Sequence, residues 1–320
     1  MNVLVTGATG FVGSALLVRL ADGAELQVCA HVRSSGRHLS APVKSVFVAE
    51  LKPDADWTVA LKDMDCVVHT AARVHVMDDV SQDPLAEFRK TNCAATLNLA
   101  RQAAEAGVKR FIFISSIKVN GEGTLPGKPY TENIEPAPVD PYGVSKREAE
   151  DGLRALATET GLQVVIIRPP LIYGAGVKGN LLSLLRWINK GIPLPLGAIH
   201  NKRSFVALDN LLDLIAVCLH HPQAANQTFL VADSEDMSTT VLLRGIAKAL
   251  DKRVFLLPVP EKLLKILLTL LGRGDIGQRL CDSLQLDTSK AKTLLGWIPP
   301  VSTDEGLRRL AKGYLDEKTI

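Results

Sequence analysis

Tyr142 and Lys146 are the pair whose residue types and spacing could do chemistry most directly. They stand four residues apart in the segment DPYGVSKREAE, at the start of a helical pattern. Residues i and i+4 share one face of a helix, so the phenol and the ammonium would lie side by side. A neighbouring cation favours phenolate and is expected to lower the tyrosine pKa from about 10 toward neutrality. Such a tyrosine could give or take a proton at a carbonyl or alcohol oxygen.

A glycine motif near the N-terminus could bind a dinucleotide beside this pair. The apolar run Asn2–Thr6 is followed by Gly7, Gly10 and Gly13 and then by a helical pattern. Glycines at a strand-to-helix turn let the backbone approach a pyrophosphate closely. The helix N-terminus adds free N–H groups and positive potential for the phosphates. The spacing GxxGxxG therefore predicts a cofactor-binding turn, whose contacts include the intervening residues Thr9, Phe11 and Val12.

Arg33 stands where many dinucleotide enzymes place an acid that bonds the ribose 2′-hydroxyl. The second predicted strand ends in CAHVRSSGR, which contains no carboxylate. A guanidinium suits a 2′-phosphate, with help from Ser34, Ser35 or Arg37. The sequence therefore predicts that NADP(H) is preferred, with NAD(H) also possible.

Two serines, Ser115 and Ser116, follow the predicted strand that begins at Phe111. The carboxyl end of such a strand opens on the cofactor crevice of a parallel sheet. One hydroxyl could hold a substrate oxygen next to Tyr142, or either serine could cap the strand end.

The elements that must position these residues alternate between strands and helices. Strand-like runs cover Asn2–Thr6, Gln27–Val32, Val46–Ala49, Cys66–Thr70, Phe111–Ser115 and Val164–Arg168. Helical patterns cover Phe11–Ala21, Leu85–Ala106 and Ser145–Glu159. This alternation predicts an α/β protein with a Rossmann-type, doubly wound parallel sheet.

The composition changes after Arg168, where about thirty residues are rich in proline and glycine. Loops at the carboxyl ends of parallel strands usually build a ligand site. We therefore predict a dinucleotide-binding domain over residues 1–168, to which 204–232 return. A smaller substrate-binding part would comprise 169–203 and 233–320, with helices over Thr239–Leu250, Glu261–Leu271 and Thr303–Tyr314.

Composition excludes several classes of protein. The chain has 320 residues and a net charge of +3, which is too small and too dispersed for a nucleic-acid partner. Five scattered cysteines fit a reducing compartment, and no spacing suggests a metal site. The longest apolar run, Leu263–Leu271, is too short to span a bilayer, so no stable membrane insertion is expected. With the glycine motif already starting at Gly7, these features favour a cytoplasmic protein.

Together these motifs resemble the extended short-chain dehydrogenase/reductase family of nucleotide-sugar epimerases, dehydratases and reductases. The resemblance covers nearly the whole chain. It is carried by TGATGFVG, DCVVHTAA, SSIKVNG, PYGVSK, RPPLIYG, RSFVALD and DTSKAKTLLGW, in that order.

The resemblance implies roles for individual residues. Ser116, Tyr142 and Lys146 match the catalytic triad. Further positions match cofactor contacts, namely Glu50, Leu51, Ala71, Ala72 and Asn92. Asn180 and Arg203 match contacts to the substrate diphosphate, and Arg279 is the candidate for a further diphosphate arginine, although the family pattern around it is not reproduced.

Four functions compete within this resemblance. A 4,6-dehydratase needs an acid pair after the catalytic hydroxyl, where this chain has Ile117 and Lys118. A 4-epimerase retains NAD, which Arg33 disfavours, and its usual tyrosine before Gly121 is replaced by Asn120. A 4-keto-reductase uses NADPH, which Arg33 favours. A non-catalytic NADP(H) sensor or scaffold commonly lacks the tyrosine or the lysine, and this chain has both.

The residues within these motifs look most like those of bacterial reductases of UDP-2-acetamido-2,6-dideoxy-hexuloses, which serve O-antigen and polysaccharide synthesis. The resemblance therefore implies NADPH-dependent reduction of the 4-keto group of such a UDP-sugar, with the UDP-sugar 4-epimerase as the alternative. It also implies a homodimer.

Overall fold

The computed structural model describes residues 1–23, 26–33, 39, 41, 43–48, 50–74, 83–125 and 127–319. The strands are β1 (Asn2–Thr6), β2 (Gln27–Val32), β3 (Lys44–Phe47), β4 (Cys66–His69), β5 (Arg110–Ile114), β6 (Gln163–Arg168), β7 (Leu171–Tyr173), β8 (Phe205–Ala207) and β9 (Gln227–Leu230). Ser34, Ser35 and Arg37, named above as helpers of Arg33, lie outside the described residues.

The helices are α1 (Phe11–Ala21), α2 (Thr58–Leu61), α3 (Pro84–Phe88), α4 (Ala95–Glu105), α5 (Pro141–Thr160), α6 (Gly179–Asn189), α7 (Leu208–His220), α8 (Thr239–Ala249), α9 (Glu261–Leu270), α10 (Gly274–Cys281), α11 (Ser289–Leu295) and α12 (Thr303–Thr319). A π-helical segment, Arg89–Ala94, joins α3 to α4. Single 3₁₀ turns span Ile117–Val119 and Pro222–Ala224.

Seven strands form one sheet in the order β3-β2-β1-β4-β5-β6-β9, and every adjacent pair is parallel. This arrangement confirms the predicted Rossmann-type α/β fold. The chain winds outward from β1 in one direction and then crosses over to β4. The switch point therefore lies between β1 and β4, where an open parallel sheet leaves a crevice at the carboxyl ends of its strands.

The two faces of the sheet bury alternate residues of the same strands, as strand geometry requires. On one face, Ile112 and Ile114 pack in a cluster with residues of α1 and α7. On the other, Phe111 and Phe113 pack with residues of α4 and α5. The sheet is thus covered on both sides, which holds the carboxyl ends of β1, β4 and β5 in fixed relation.

A second hydrophobic cluster lies in the later part of the chain. It joins buried residues of α6, α8 and α12, and Leu264 of α9, around Tyr173 and Phe205 of the two-stranded sheet β7–β8. The return of the chain to the main sheet is made by β9, which pairs with β6. Among the described residues, no helix combines the length and apolar character needed to cross a membrane.

Candidate active site

The turn between β1 and α1 is built so closely that side chains are excluded from it. Gly7 has a φ of +69°, and a Cβ there would lie 2.7 Å from the backbone N of Ala71. A Cβ on Gly13 would collide with the Gly7 carbonyl oxygen. Gly10 begins the helix without a side-chain cap, and its own N–H donates to Gly7 at 2.8 Å. The first N–H groups of α1 therefore face a crevice lined by backbone, as a pyrophosphate site requires.

The surroundings of this turn bring together the other predicted cofactor residues. Thr9 is exposed, while Phe11 and Val12 are half-buried at the start of α1. Ala71 and Ala72 follow β4 directly and are also half-buried. The switch point thus collects these segments at one edge of the sheet.

Arg33 and Glu50 form an exposed, charged corner beyond the ends of β2 and β3. Arg33 is exposed directly after β2. Glu50 pairs with Lys52 at 2.6 Å, and this contact lowers the pKa of Glu50, helped by the charges of Arg33 and Lys90. Leu51, by contrast, packs against the cluster beneath α4. The corner thus gathers the basic groups of Arg33, Lys52 and Lys90, which could meet a 2′-phosphate, beside the carboxylates of Glu50 and Asp54.

Asn92 is buried in the π-helical segment and holds the chain that follows β4. Its Oδ1 accepts from the Arg73 N–H at 2.8 Å, and its Nδ2 donates to the Arg73 carbonyl at 3.0 Å. The same Nδ2 also donates to Ser145 Oγ of α5 at 3.1 Å. A π-helical distortion inside a helix often marks a functional site. Here it places one amide so that α5 and the segment Ala71–Arg73 are fixed together.

The two serines after β5 have different roles. The buried Ser115 donates to Glu150 Oε1 at 2.5 Å, within a buried network in which Arg168 also donates to Glu150 at 2.5 and 2.9 Å. Ser116 instead caps the turn Ile117–Val119, accepting from the Lys118 N–H at 3.2 Å, and its hydroxyl is hydrogen-bonded to Tyr142. Ser116 is therefore the serine that faces the tyrosine.

Helix α5 begins earlier than its pattern predicted because Asp140 caps it and Pro141 opens it. The Asp140 Oδ1 accepts from the Gly143 N–H at 2.6 Å. Proline is favoured at this first position because its fixed φ suits the helix. Tyr142 thus lies in the first turn, half-buried, with its ring edge-on to Phe88 at 6.1 Å.

The expected lowering of the tyrosine pKa is wrong for the protein on its own. Burial raises the pKa of Tyr142, the charge of Asp140 raises it further, and the hydrogen bond with Ser116 opposes the rise. The Lys146 ammonium is hydrogen-bonded elsewhere: its Nζ donates to the Ile114 carbonyl at 2.8 Å and lies 4.4 Å from the Phe113 ring centroid. It lies 5.9 Å from the Tyr142 ring centroid. The spacing of four correctly predicts proximity, but the sequence does not show the carbonyl that competes for the ammonium.

Lys146 also lies in a strongly perturbing environment. It is 2 % exposed, and burial lowers its pKa to about 7, against the opposing charge of Glu150. A lysine so tuned changes its charge near neutral pH, which is a frequent property of groups at reaction centres.

Lys118 and its carboxylate partners lie next to Ser116 and Tyr142, although the sequence did not indicate a role for them. The Lys118 Nζ pairs with Asp140 Oδ2 and with Glu122 at 3.2 Å. Asp140 in turn caps the helix that carries Tyr142. The i, i+4 spacing of Lys118 and Glu122 is visible in the sequence, but the contact across twenty-two residues to Asp140 depends on the fold.

The three residues matched to a substrate diphosphate occupy different elements. Arg203 precedes β8 and donates to the Asp282 carbonyl at 2.8 Å. Burial lowers the pKa of Arg203, Asp282 and Glu122 raise it, and Arg279 of α10 lowers it. The structure therefore brings Arg203 and Arg279 within each other's electrostatic reach. Asn180 is exposed as the second residue of α6.

Asn120 has a structural role. Its presence in place of the usual tyrosine before Gly121 is therefore weaker evidence against a 4-epimerase. It is 1 % exposed, accepts from Arg168 at 2.9 Å and donates to the Thr131 carbonyl at 3.0 Å. In the part of the chain that the structure describes, no group of three or more His, Cys, Asp or Glu side chains is arranged to hold a metal ion.

Comparison with known proteins identifies the class to which this fold and site belong. The NAD dependent epimerase/dehydratase family matches residues 3–232, and the chain belongs to this family of enzymes. Enzymes of this family use NAD, and the glycine turn agrees with that use. Because no Cβ fits at Gly7 or Gly13, the backbone of the turn stays open to the close approach of a dinucleotide.

Individual proteins similar to this chain indicate which reactions its relatives catalyse. The chain is 49 % identical to a UDP-glucose 4-epimerase of Vibrio cholerae, over 98 % of this chain and 95 % of that protein. It is 28 % identical to an N-acetyl-alpha-D-glucosaminyl-diphospho-ditrans,octacis-undecaprenol 4-epimerase of Escherichia coli O157:H7, over 96 % and 93 % of the two chains. The crystal structure of UDP-glucose 4-epimerase from Thermotoga maritima with UDP-glucose has the same fold, with a TM-score of 0.78 at 24 % identity and full coverage of both chains. The predicted family is thus confirmed, whereas the relatives named are epimerases and not the 4-keto-reductases that the motifs suggested.

Proposed function

We propose that this protein is a UDP-sugar 4-epimerase. The observation that carries the proposal is the 49 % identity with the Vibrio cholerae UDP-glucose 4-epimerase over almost the whole chain. The contact between Ser116 and Tyr142, with Lys146 one helical turn further along α5, supplies the proton-transfer group that the reaction needs. This revises the preference for a 4-keto-reductase that Arg33 and the motif wording had favoured.

The dinucleotide would be held by residues 1–168, with 204–232, and the sugar nucleotide by 169–203 and 233–320. The turn Gly7–Gly13 would take the pyrophosphate, with Ala71, Ala72 and Asn92 alongside. A nicotinamide held there would supply the reversible hydride acceptor that oxidation and re-reduction at C4 of the sugar require.

Tyr142 moves the proton at the C4 oxygen. It takes the hydroxyl proton as the 4-keto sugar forms and gives it back when the alcohol is restored, so protons and hydride balance over the cycle. Ser116 hydrogen-bonds the same oxygen. Because burial raises the pKa of Tyr142, the phenolate needs a positive charge close by, and the Lys146 ammonium is the cation on the same helix face.

Arg203, Arg279 and Asn180 are proposed to bind the diphosphate of the substrate. The charge of Arg279 lowers the pKa of Arg203, and an anion bound between the two guanidinium groups would offset that repulsion. Glu122 links this pair to the reaction centre, because it interacts both with Arg203 and with Lys118. A homodimer is expected from the family resemblance.

A second candidate is the NADPH-dependent 4-keto-reductase of a UDP-linked 2-acetamido-2,6-dideoxy-hexulose. The specific observation in its favour is the basic corner of Arg33 with Lys52 and Lys90 near Glu50. If that corner binds a 2′-phosphate, the cofactor is NADP(H), which reductases consume as an exchangeable substrate.

One assay separates the two candidates. The protein is incubated with UDP-glucose or UDP-N-acetylglucosamine without added reductant, and the configuration at C4 of the sugar is determined by NMR. The epimerase predicts interconversion of the C4 epimers without net change in the dinucleotide. Absence of interconversion, together with stoichiometric NADPH oxidation by a UDP-4-keto-sugar, would overturn the epimerase and support the reductase. Tyr142→Phe is the matched inactive control in both arms.

A further inference from the structure

Helix α9 carries two apolar faces, of which the fold buries one. Leu264 is 6 % exposed and, with Leu268, packs against the second hydrophobic cluster. The remaining aliphatic residues of the helix stay on the surface, with exposed fractions of 48 % at Leu263, 57 % at Ile266, 46 % at Leu267 and 78 % at Leu270. A surface helix normally has one apolar stripe, and a second one indicates another apolar environment.

The exposed residues form one continuous line, which we call the α9 stripe: Leu263, Ile266, Leu267 and Leu270. Their positions i, i+3, i+4 and i+7 place all four on the same side of the helix. Leu271 continues the helix end and is 73 % exposed. Large aliphatic groups concentrated in this way on a surface mark an interaction site, whereas single exposed residues do not.

The charge around the stripe selects the kind of partner. Residues 252–273 carry five basic residues and one acidic residue, a net charge of +4 in a chain whose total is +3. Four of the basic residues are exposed, namely Lys252, Arg253, Lys262 and Arg273. The rest of the protein therefore carries no excess of positive charge, and Lys262 and Arg273 lie just before and just after the stripe in the chain. An apolar stripe with basic flanks complements the anionic surface of a phospholipid bilayer.

The length of α9 decides how such a surface would be met. Ten residues give a helix of about 15 Å, half the thickness of a bilayer core of about 30 Å. The helix is also anchored to the protein, because the Lys265 Nζ pairs with Asp282 Oδ1 at 2.5 Å and Leu264 is buried. It is suited to lying in the interfacial plane and not to crossing it.

We propose that the α9 stripe docks this protein reversibly on anionic lipid bilayers. The dock lies next to the proposed diphosphate site: Lys265 holds Asp282, whose backbone carbonyl accepts from Arg203. The docking itself does not depend on which sugar nucleotide the enzyme uses, so its test is independent of the proposed function.

The test measures binding of the full chain to vesicles. Phosphatidylcholine vesicles with about 30 % phosphatidylglycerol are compared with phosphatidylcholine alone by co-sedimentation, at low and high salt. The wild type is expected to bind the anionic vesicles and to be released by salt. The double variant Ile266→Glu/Leu270→Glu should lose about tenfold or more of the partition coefficient, because two charges replace apolar groups that docking would bury in the bilayer.

The matched control is Val59→Glu/Val241→Glu, which changes two exposed valines on α2 and α8 in the same way. It should bind anionic vesicles like the wild type, and both variants should keep the wild-type melting temperature. Equal vesicle binding by the wild type and the α9 variant would overturn the proposal. So would a wild type that binds no vesicles but whose dimer is lost in the α9 variant by light scattering, because a second copy would then cover the stripe.

Discussion

The two ends of the candidate site are built in opposite ways. At the proton-transfer end, Lys146 is 2 % exposed and its ammonium, Ser116 and Tyr142 are held by hydrogen bonds from β5 and α5. At the ribose end, Arg33 and Glu50 are exposed on the ends of β2 and β3, in a corner of charges that touch solvent. The residues proposed to transfer the proton are fixed by packing, whereas the residues proposed to select the cofactor are exposed and can change without disturbing the core. The following predictions test that difference.

The largest effect is expected from Tyr142→Phe at the buried end. Loss of the proton donor should reduce turnover by about 10²–10⁴-fold. Dinucleotide binding should persist, because the glycine turn is untouched. Turnover and dinucleotide affinity, measured on the same preparation, check this, and near-wild-type turnover would remove Tyr142 from the reaction.

The Lys146 environment predicts a pH-dependent stability. The unfolded lysine keeps its ordinary pKa, and the folded one is lowered to about 7. Between these values the unfolded state binds more protons, so stability rises with pH across that window and is at its lowest below about pH 7. At about 1.4 kcal/mol per unit, the change amounts to several kcal/mol.

Lys146→Met should remove this rise. Urea unfolding of the wild type and the variant from pH 6 to pH 10 gives the difference in unfolding free energy, which should shift in favour of the wild type as pH increases. Lys312→Met, on an exposed position of α12, serves as the control and should track the wild type at every pH. A difference between wild type and Lys146→Met that stays constant with pH would contradict the depressed pKa.

A comparable effect on stability is expected from Glu150→Gln beneath the proton-transfer end. Glu150 is fully buried and accepts from Ser115 and Arg168. Removing its charge leaves the Arg168 guanidinium buried without its anion, which costs about 3–5 kcal/mol of unfolding free energy. Glu148→Gln is the matched control two residues away, because its pair with Arg89 is exposed and worth about 0–1 kcal/mol. Equal losses in the two variants would show that burial does not set the cost.

The same contrast explains what the sequence could and could not predict. Strand periodicity and the glycine spacing predicted β1, β2 and α1 with the observed bounds, because these signals are local. The segment Leu85–Ala106 was correctly helical but concealed the π-helical turn that places Asn92. Three-residue strands such as β7 and β8 leave little local pattern, since each is defined by a partner far away in the chain.

Within the site, residue identities were more predictable than their electrostatics. The spacing of Tyr142 and Lys146 predicted one helix face, and their shared environment is observed. The direction of the Tyr142 pKa was wrong because it depends on burial, on Asp140 and on the carbonyl of Ile114, which are brought together by the fold. The contact of Lys118 with Asp140 was missed for the same reason.

The smallest effect, and the one that sharpens the comparison most, is expected at the exposed end. If Arg33 selects the 2′-phosphate, Arg33→Ala should weaken NADP(H) binding by about 10–100-fold, the value of one charge-assisted contact, and leave NAD(H) binding nearly unchanged. Lys52→Ala tests the same corner with a basic residue already paired to Glu50, and should change the preference less. Both affinities can be measured by fluorescence titration of the reduced cofactors. Because Arg33 lies on the surface after β2, the variant should also melt with the wild type, which separates cofactor choice from folding. If Arg33→Ala weakens both cofactors equally, the arginine serves the whole dinucleotide and the argument from Arg33 for a reductase loses its basis.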